Sequence, residues 1–235
     1  MTAKEIQKEL RKHVSTRCKK NKERFFKMEK GKYGYGDKFI GVSTPDSKMI
    51  AKKFVMLSFV EIKKLLQSEI HEDRATALLI LVHKFENKND LQQKKVCDFY
   101  LKNFRYVNNW DLVDYSVYKI FGVYILRHPA EAKILNTYVV SKNLWERRLA
   151  IVATLALIRE GNFSWTMKNA KILLRDSHDL IHKAVGWMLR EVWKRDSKLV
   201  EDFLIKNYTQ VSRITLRYAI ERMGKKKRKK FLYNL

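Results

Sequence analysis

The chain has 235 residues, enough to bury a hydrophobic core as one large domain or two small ones. Hydrophobic residues make up 46% of it and charged residues 32%, which excludes a disordered chain. Lysines and arginines number 50 against 25 acidic residues, and the resulting formal charge of +25 argues for a polyanionic partner, nucleic acid first. The 8 glycines and 2 prolines are too few for a many-turned β-sandwich or a glycine-rich dinucleotide-binding domain.

The amino terminus and the cysteines indicate the compartment. Residues 1–20 are charged throughout and lack the apolar stretch of a signal peptide. No uncharged apolar window of about 18 residues would span a membrane. Cys18 and Cys97 form no CxxC pair, so neither a zinc ribbon nor a disulfide scaffold is expected. We therefore expect a soluble cytoplasmic protein with no membrane partner.

Apolar residues recur at three- and four-residue spacing along most of the chain, which predicts an all-α fold. In one segment, 71–85, the apolar stripe predicts an amphipathic helix with one buried face; it consists of Ala75, Leu78, Leu79, Val82 and Phe85. The predicted helices lie near 4–12, 46–54, 58–66, 71–85, 91–104, 110–126, 130–140, 145–159, 165–174, 180–194, 198–207 and 213–222.

Two segments depart from this helical pattern. Segment 28–45 holds four of the eight glycines and one of the two prolines, so we predict an ordered loop there. Thr44 and Pro45 predict the start of the helix that follows it. The basic tail, 224–235, contains the run KKKRKK at 225–230, which must be exposed. A solvated helix end and a contact with backbone phosphates explain this run equally well.

The helices repeat along the chain. Arg74, Asp111, Arg147 and Lys183 occupy matching positions at spacings of 37, 36 and 36 residues. Two short helices and two turns fit that length, which predicts a solenoid of stacked antiparallel helix pairs of the HEAT-like type. Each repeat carries charge at the start of its second helix, so stacking is expected to form a concave basic face for binding.

The motif NNWDLVD at 108–114 is the first candidate for chemistry. Asn108 or Asn109 can cap a helix that starts near Trp110. Trp110 and Asp114 are then four residues apart and share one face. Asp111 lies about 100° around the helix, near the amino-terminal end that favours an acid. By spacing alone, a capping acid, a packed indole and a surface acid explain the motif better than a site does.

Two further motifs carry candidate residues. In KAVGWMLRE, at 183–191, Gly186 in mid-helix indicates close packing, and Trp187 and Arg190 follow it. Trp187 by itself is more typical of a core residue. In WERR, at 145–148, at most one arginine follows the apolar stripe, so at least one is available to a phosphate. The structural alternative is a salt bridge to Asp111 or Asp114.

Other chemistries lack their motifs. No HExxH, GxxxxGK[ST] or GxSxG occurs, which excludes the common helical zinc hydrolases, P-loop ATPases and α/β-hydrolases. His178 and His182 are four residues apart, but only Asp176 or Asp179 could add a third metal ligand. We predict no metal site and no cofactor.

Several motifs in order now resemble the AlkD-type DNA alkylation-repair glycosylases, a family of HEAT-like-repeat enzymes. The resemblance runs from about residue 20 to the carboxyl terminus and predicts a single domain over 1–235. Its parts are RFFKMEKGKYGYGDKFIGVSTPD (24–46), EIHEDRATALLILVHKF (69–85), NWDLVD (109–114), LWERRLAIVATLALIREGNF (144–163), HKAVGWMLREVWKRD (182–196) and SRITLRYAIERM (212–223).

The resemblance implies a function and a set of site residues. Such enzymes excise cationic alkylated purines, such as 7-methylguanine and 3-methyladenine, from duplex DNA without flipping the base, and they look monomeric. The family's catalytic aspartate falls on Asp114 and its active-site tryptophans on Trp110 and Trp187. Its backbone-binding arginine falls on Arg148, and Arg190 is implied as a further phosphate contact. DNA binding would also associate the protein with the nucleoid.

Four other residues complete the predicted DNA contacts, and two of them depart from the family. Phe25 replaces a tyrosine of some members, which removes a hydroxyl contact. Ser43 replaces the usual glutamine or arginine before the Thr-Pro pair, which weakens contact with the backbone or the lesion's partner base. Thr44 belongs to that pair, and Lys183 lies on the predicted charged face.

Two alternatives from other classes stay open. A non-catalytic HEAT-like-repeat protein would bind DNA or act as a scaffold without releasing a base. An RNA-binding helical-repeat protein would prefer single strands and carry a recurring base-reading pair of side chains in each repeat. No such recurring pair is present, so the RNA alternative ranks last.

Overall fold

A computed structural model describes residues 1–86 and 88–233. Within these residues the chain is all-helical, which confirms the predicted fold class, and a single parallel bridge between Lys38 and Ile70 is their only β pairing. The chain forms two compact units, the first ending at Ser116 and the second beginning at Val117. A single domain over 1–235 and a concave basic face stay predictions.

The first unit contains seven α-helices within the described residues. Serine, threonine and asparagine caps explain where five of them begin, because each side chain accepts a hydrogen bond from a backbone N–H of the first turn. The helices are α1 (Ala3–Arg11), α2 (Thr16–Phe25), α3 (Thr44–Lys53), α4 (Phe59–Leu66), α5 (His71–Phe85), α6 (Asp90–Lys102) and α7 (Trp110–Ser116).

Helix α5 is the centre of this unit. It is a helix as predicted, but the prediction that only one of its faces is buried is wrong. It packs against α1, α3, α4, α6 and α7, so it is covered on nearly every side. The buried residues include the charged first turn, from His71 to Arg74, whereas Ala75 of the predicted stripe is half-buried. Arg74 therefore lies in the interior, which corrects its expected place on the charged binding face.

Helix α2 has no counterpart among the predicted helices. None of its residues is buried, so it lacks the apolar stripe from which a helix is predicted. It begins beside the glycine loop, where the N–H of Ser15 donates to the carbonyl of Gly41 at 3.1 Å. Gly41 has a φ of +92°, and a Cβ there would collide with the backbone of Ser15 and Lys19.

The second unit contains nine α-helices within the described residues. They are α8 (Val123–Arg127), α9 (Leu135–Tyr138), α10 (Leu144–Val152), α11 (Thr154–Arg159), α12 (Ser164–Leu173), α13 (Asp179–Trp193), α14 (Ser197–Lys206), α15 (Arg213–Ala219) and α16 (Lys225–Tyr233). None of the helices in the described part of the chain is long and apolar enough to cross a membrane.

Two predicted long helices of this part of the sequence are interrupted. The predicted helix 110–126 stops after α7, and a π-helical turn, Tyr118–Gly122, precedes α8. The predicted helix 145–159 is divided at Ala153 into α10 and α11. A Cβ on Gly122 would lie 2.5 Å from the carbonyl oxygen of Ala153, so the two interruptions pack directly against each other.

Helix α13 occupies the centre of the second unit. It packs against α10, α11, α12, α14 and α15, most extensively against α15. A Cβ on Gly186 would lie 2.5 Å from the carbonyl oxygen of Thr215 and 2.5 Å from the Cβ of Tyr218. The close packing predicted from this mid-helix glycine is confirmed.

Candidate active site and DNA interface

A buried hydrogen-bond chain fixes the start of α7. Asn109 is fully buried; its Oδ1 accepts from the backbone N–H of Trp110 at 2.8 Å, and its Nδ2 donates to Asp37 at 2.7 Å. The other oxygen of Asp37 accepts from Arg74 Nη2 at 2.5 Å. Arg74 also donates to the carbonyl of Ser68 at 2.8 Å. The glycine loop and α5 therefore hold the turn that carries the predicted catalytic residues.

The sequence predicts a helix start at Asn108 or Asn109 but does not predict the ion pair behind Asn109. Asp37 and Arg74 are 6% and 5% exposed, and they lie 37 residues apart in sequence. The only local signal is an aspartate in a glycine-rich loop, and the repeat pattern predicts its partner, Arg74, on the charged binding face instead. Their burial means that breaking the pair would leave an uncompensated charge in the interior.

Aromatic contacts fix the ring of Trp110. It stacks on Phe26 with ring centroids 5.5 Å apart and an angle of 24° between the rings. Phe25 meets it edge-on at 5.7 Å. Phe26 is buried, whereas Phe25 is 63% exposed, so the aromatic cluster extends to the surface at a residue predicted to contact DNA.

Asp114 lies one turn after Trp110 on α7 and is half-buried. The backbone N–H of Val113 donates to the carbonyl of Asn109 at 3.1 Å, so the helical spacing predicted for NNWDLVD is present. Trp110 and Asp114 therefore share one face of α7. A partly exposed carboxylate one helical turn from an indole is a suitable arrangement for a cationic reaction centre.

The second acid of the motif has a different environment. Asp111 Oδ1 lies 3.1 Å from His71 Nε2, and the His71 side chain is 2% exposed. The imidazole packs against the rings of Phe26 and Phe39, with centroids 5.2 and 4.6 Å away. Asp111 borders a cavity of about 200 Å³ that Thr44 also lines. Asp111 is thus tied to α5.

Ser43 and Thr44 lie where the glycine loop enters α3. Ser43, and not Thr44, caps the helix: its Oγ accepts from the N–H of Asp46 at 3.2 Å and donates to that carboxylate at 2.5 Å. Thr44 is the first helical residue and is exposed. The hydroxyl of Ser43 is used within the fold, whereas Thr44 is accessible to a ligand.

Glu72 connects the glycine loop to α2 and α5. It is 1% exposed and accepts from the N–H groups of Ile40 and Gly41, at 3.1 and 2.9 Å, and from Lys22 Nζ at 3.1 Å. Burial raises the pKa of the Glu72 carboxyl, but the charge of Lys22 and the two backbone donors lower it more. The pKa consequently lies below its ordinary value of 4.5.

Replacing Glu72 with glutamine is expected to lower the free energy of unfolding at pH 7 by roughly 2 kcal/mol, because charge-assisted hydrogen bonds are lost in the interior. A carboxylate with a lowered pKa stabilises the fold above its ordinary pKa and loses this effect as the pH falls through the lowered value. The difference between wild type and Glu72→Gln should therefore narrow below about pH 4.5.

Urea unfolding of both proteins between pH 7 and acid pH measures this difference. Glu69→Gln is the matched control, because Glu69 is 75% exposed in its ion pair with Lys38, and little change in stability is expected. If the stability difference between wild type and Glu72→Gln stays constant into the acid range, the Glu72 carboxylate does not stabilise the fold through its charge.

The two arginines of WERR are both used within the second unit. Arg147 Nε donates to Asp176 at 2.6 Å, so its salt-bridge partner is neither of the acids expected from the sequence. Arg148 is 4% exposed and donates to the carbonyl of Leu180, at the start of α13. Both side chains therefore have partners within the fold, and contact of either arginine with a phosphate stays a prediction.

Helix α13 places three predicted site residues on one side. Lys183, Trp187 and Arg190 follow one another at spacings of four and three residues, and all three are half-buried. Arg190 donates to Glu221 and lies 3.7 Å from Glu191, so acidic residues already offset its charge. No acidic partner of Lys183 is found among the described residues, and its contact with a phosphate stays a prediction.

The paired histidines have structural partners. His178 caps α13, with its Nδ1 accepting from the N–H of Leu180 at 3.1 Å, and His182 Nδ1 lies 3.3 Å from Thr215 Oγ1. Burial lowers the pKa of His178. Within residues 1–86 and 88–233, no group of three His, Cys, Asp or Glu side chains is placed to hold a metal ion.

An all-helical chain with a charge of +25 and a tryptophan–carboxylate turn has the character of a helical-repeat protein that acts on nucleic acid. A model of the DNA alkylation repair enzyme family matches residues 6–223, and the chain belongs to this family. The family assignment made from the motifs is confirmed, and with it a role in DNA alkylation repair and DNA as the partner.

A solved structure supports the fold independently. It is described as a predicted DNA alkylation repair enzyme from Enterococcus faecalis and is similar to this chain with a TM-score of 0.72. The similarity covers 91% of this chain and 98% of the other. Because the sequence identity is only 19%, the similarity shows a common fold and nothing about activity. A comparison with curated proteins gives no match.

Proposed function

We propose that the chain is a DNA glycosylase of base excision repair that hydrolyses the N-glycosidic bond of cationic alkylated purines in duplex DNA. Its substrates are of the 7-methylguanine and 3-methyladenine type. The observation that carries the proposal is the pairing of Trp110 and Asp114 on one turn of α7, in a chain of the alkylation repair family. The buried support from Asn109, Asp37 and Arg74 favours a rigid catalytic turn.

The reaction needs little from the protein. Alkylation at N7 or N3 makes the base a cation, so the bond between C1′ and N9 is already weakened. When it breaks, its electron pair moves to the purine ring, which leaves neutral and needs no acid. The sugar becomes an oxocarbenium-like cation that water attacks at C1′, releasing one proton. One carboxylate can stabilise the cation and orient the water, and Asp114 is the candidate.

Aromatic rings would assist this carboxylate. An indole face attracts a developing cation by about 0.5–2 kcal/mol. Trp110 is held by its stack on Phe26, so no further ordering of the ring is needed during the reaction. Trp187 on α13 is proposed as the second tryptophan at the sugar. A catalyst of this modest strength selects against uncharged purines, because they leave too slowly without an acid.

This chemistry favours a mechanism without base flipping. A base that departs unassisted needs no pocket in which an acid would protonate it, so the enzyme avoids the free energy of unstacking. We propose that the protein acts as a monomer on the duplex and holds the backbone. The proposed contacts come from Phe25, Ser43, Thr44, Arg148, Lys183 and Arg190.

The test is release of 7-methylguanine from a duplex that carries one labelled lesion. We expect release with the wild-type protein, none from the unmodified duplex, and release also when the N7 substituent is too bulky for an enclosed pocket. Binding of the same duplex is measured in parallel. If the protein binds the duplex tightly but releases no cationic purine, the glycosylase proposal fails and a non-catalytic DNA-binding protein takes its place as the proposed function.

A further inference from the structure

The basic run of the sequence forms a helix in the structure. Helix α16, Lys225–Tyr233, exposes all six cations of residues 225–230. Three interactions at its far end hold it on the second unit: Phe231 is 3% exposed, Tyr208 Oη donates to the carbonyl of Phe231 at 3.2 Å, and Arg213 donates to that of Leu232 at 3.0 Å. The predicted tail is therefore a docked element, and residues 234 and 235 lie outside the described residues.

The charges of α16 are mostly not neutralised by the protein. Lys227 pairs with Glu201, at 2.7 and 3.0 Å from its two oxygens. Lys230 also lies close enough to Glu201 to interact with its charge, whereas no acidic partner of Lys225, Lys226, Arg228 or Lys229 is found among the described residues. A shallow groove of about 940 Å³ lies beside them, lined by Trp193, Gly224 and lysines of the helix. The protein thus presents a dense cationic surface at a fixed place.

The charges within α16 destabilise the helix. Lys225 and Lys229 are four residues apart, as are Lys226 and Lys230, so like charges are neighbours on the helix surface. Lysines also occupy the first turn, where the helix dipole disfavours cations. A polyanion laid along the helix removes both unfavourable interactions, whereas water and salt only weaken them.

We propose that α16 binds the phosphate backbone of duplex DNA. Residues 225–230 cover about 7.5 Å of helix axis at 1.5 Å per residue, while one DNA strand carries a phosphate every 3.4 Å of its axis. The helix can therefore neutralise two or three phosphates of one strand, independently of sequence or damage. This inference rests on the proposed function only in taking duplex DNA as the partner.

The test is the salt dependence of binding to an undamaged duplex. The variant Lys225→Gln/Lys226→Gln/Lys229→Gln/Lys230→Gln is expected to reduce the slope of log K against log salt by about 2, since each neutralised phosphate contributes about 0.9. Affinity at about 0.1 M salt should fall tenfold or more. Its melting temperature should not fall, because the substitutions remove like-charge neighbours.

The matched control removes the same charge from scattered exposed lysines of the second unit: Lys142→Gln/Lys171→Gln/Lys198→Gln/Lys206→Gln. This control variant should keep most of the wild-type slope of log K against log salt. An unchanged slope in the α16 variant, or an equal loss in the control, would overturn the proposal. If the α16 variant loses slope while wild-type protein releases no base, the glycosylase proposal fails and the DNA contact of α16 stands.

Discussion

Asp114→Asn is expected to bind a 7-methylguanine duplex as tightly as wild type and to release the base at least about a hundredfold more slowly. The substitution preserves size and removes the negative charge that would stabilise the sugar cation. Removing one preorganised oxyanion-hole donor from an acyl-transfer enzyme slows the reaction by about a hundredfold or more, and we expect a similar effect here. Single-turnover release with enzyme in excess separates this effect from binding and product release.

The neighbouring acid provides the control. Asp111→Asn removes the same charge three residues earlier on α7, where the carboxylate pairs with His71. It should keep most of the release rate, and both variants should melt near wild type. Equal release by Asp114→Asn and wild type would remove Asp114 from the catalytic role. A greater loss in Asp111→Asn would move that role to the acid beside His71.

Asp37→Ala is expected to lower the free energy of unfolding by about 3–5 kcal/mol, because it leaves the Arg74 charge buried without a partner. It also deprives Asn109 of its acceptor and so loosens the start of α7. Base release should therefore fall although Asp37 contacts no DNA in the proposed arrangement. Urea unfolding gives the stability, and release is compared at a temperature where the variant stays folded.

A double-mutant cycle separates the ion pair from simple loss of packing. Asp37→Ala/Arg74→Met removes both charges and should be more stable than the sum of the single substitutions indicates, by 1 kcal/mol or more. Asn109 still lacks its acceptor in this variant, so base release should recover less than stability does. Additive losses in stability would contradict an interdependent buried pair.

The helices follow from local sequence, and the predictions for them were correct where local patterns decide. The span 71–85 is a helix with the predicted bounds, and Asn109 accepts from the first backbone N–H of α7, at Trp110. The close packing at Gly186 was also foreseeable, since a glycine in mid-helix is unfavourable unless a neighbour needs the space. In each case the signal lies within a few residues of the chain, although the partners of Gly186, Thr215 and Tyr218, lie about thirty residues away.

The interruptions of the long helices could not be predicted in this way. A π-helical turn at Tyr118–Gly122 adds one residue and leaves the apolar spacing almost unchanged. The turn ends at Gly122, which lies against Ala153, more than thirty residues away, and no local pattern marks that contact. Helix α2 shows the opposite case, because it forms without any buried residue to mark it.

Local patterns thus determined the helical class, most of the helices and, through the family motifs, the candidate residues on α7 and α13. The tertiary structure decided which charges face inward. The repeat pattern predicts Arg74 on the charged binding face, but neighbouring helices cover α5 on nearly all sides, and Asp37 pairs with Arg74 from the glycine loop. The physical reason is that helix formation depends on residues three or four apart, whereas burial of a charge depends on partners that only folding brings within a few ångströms.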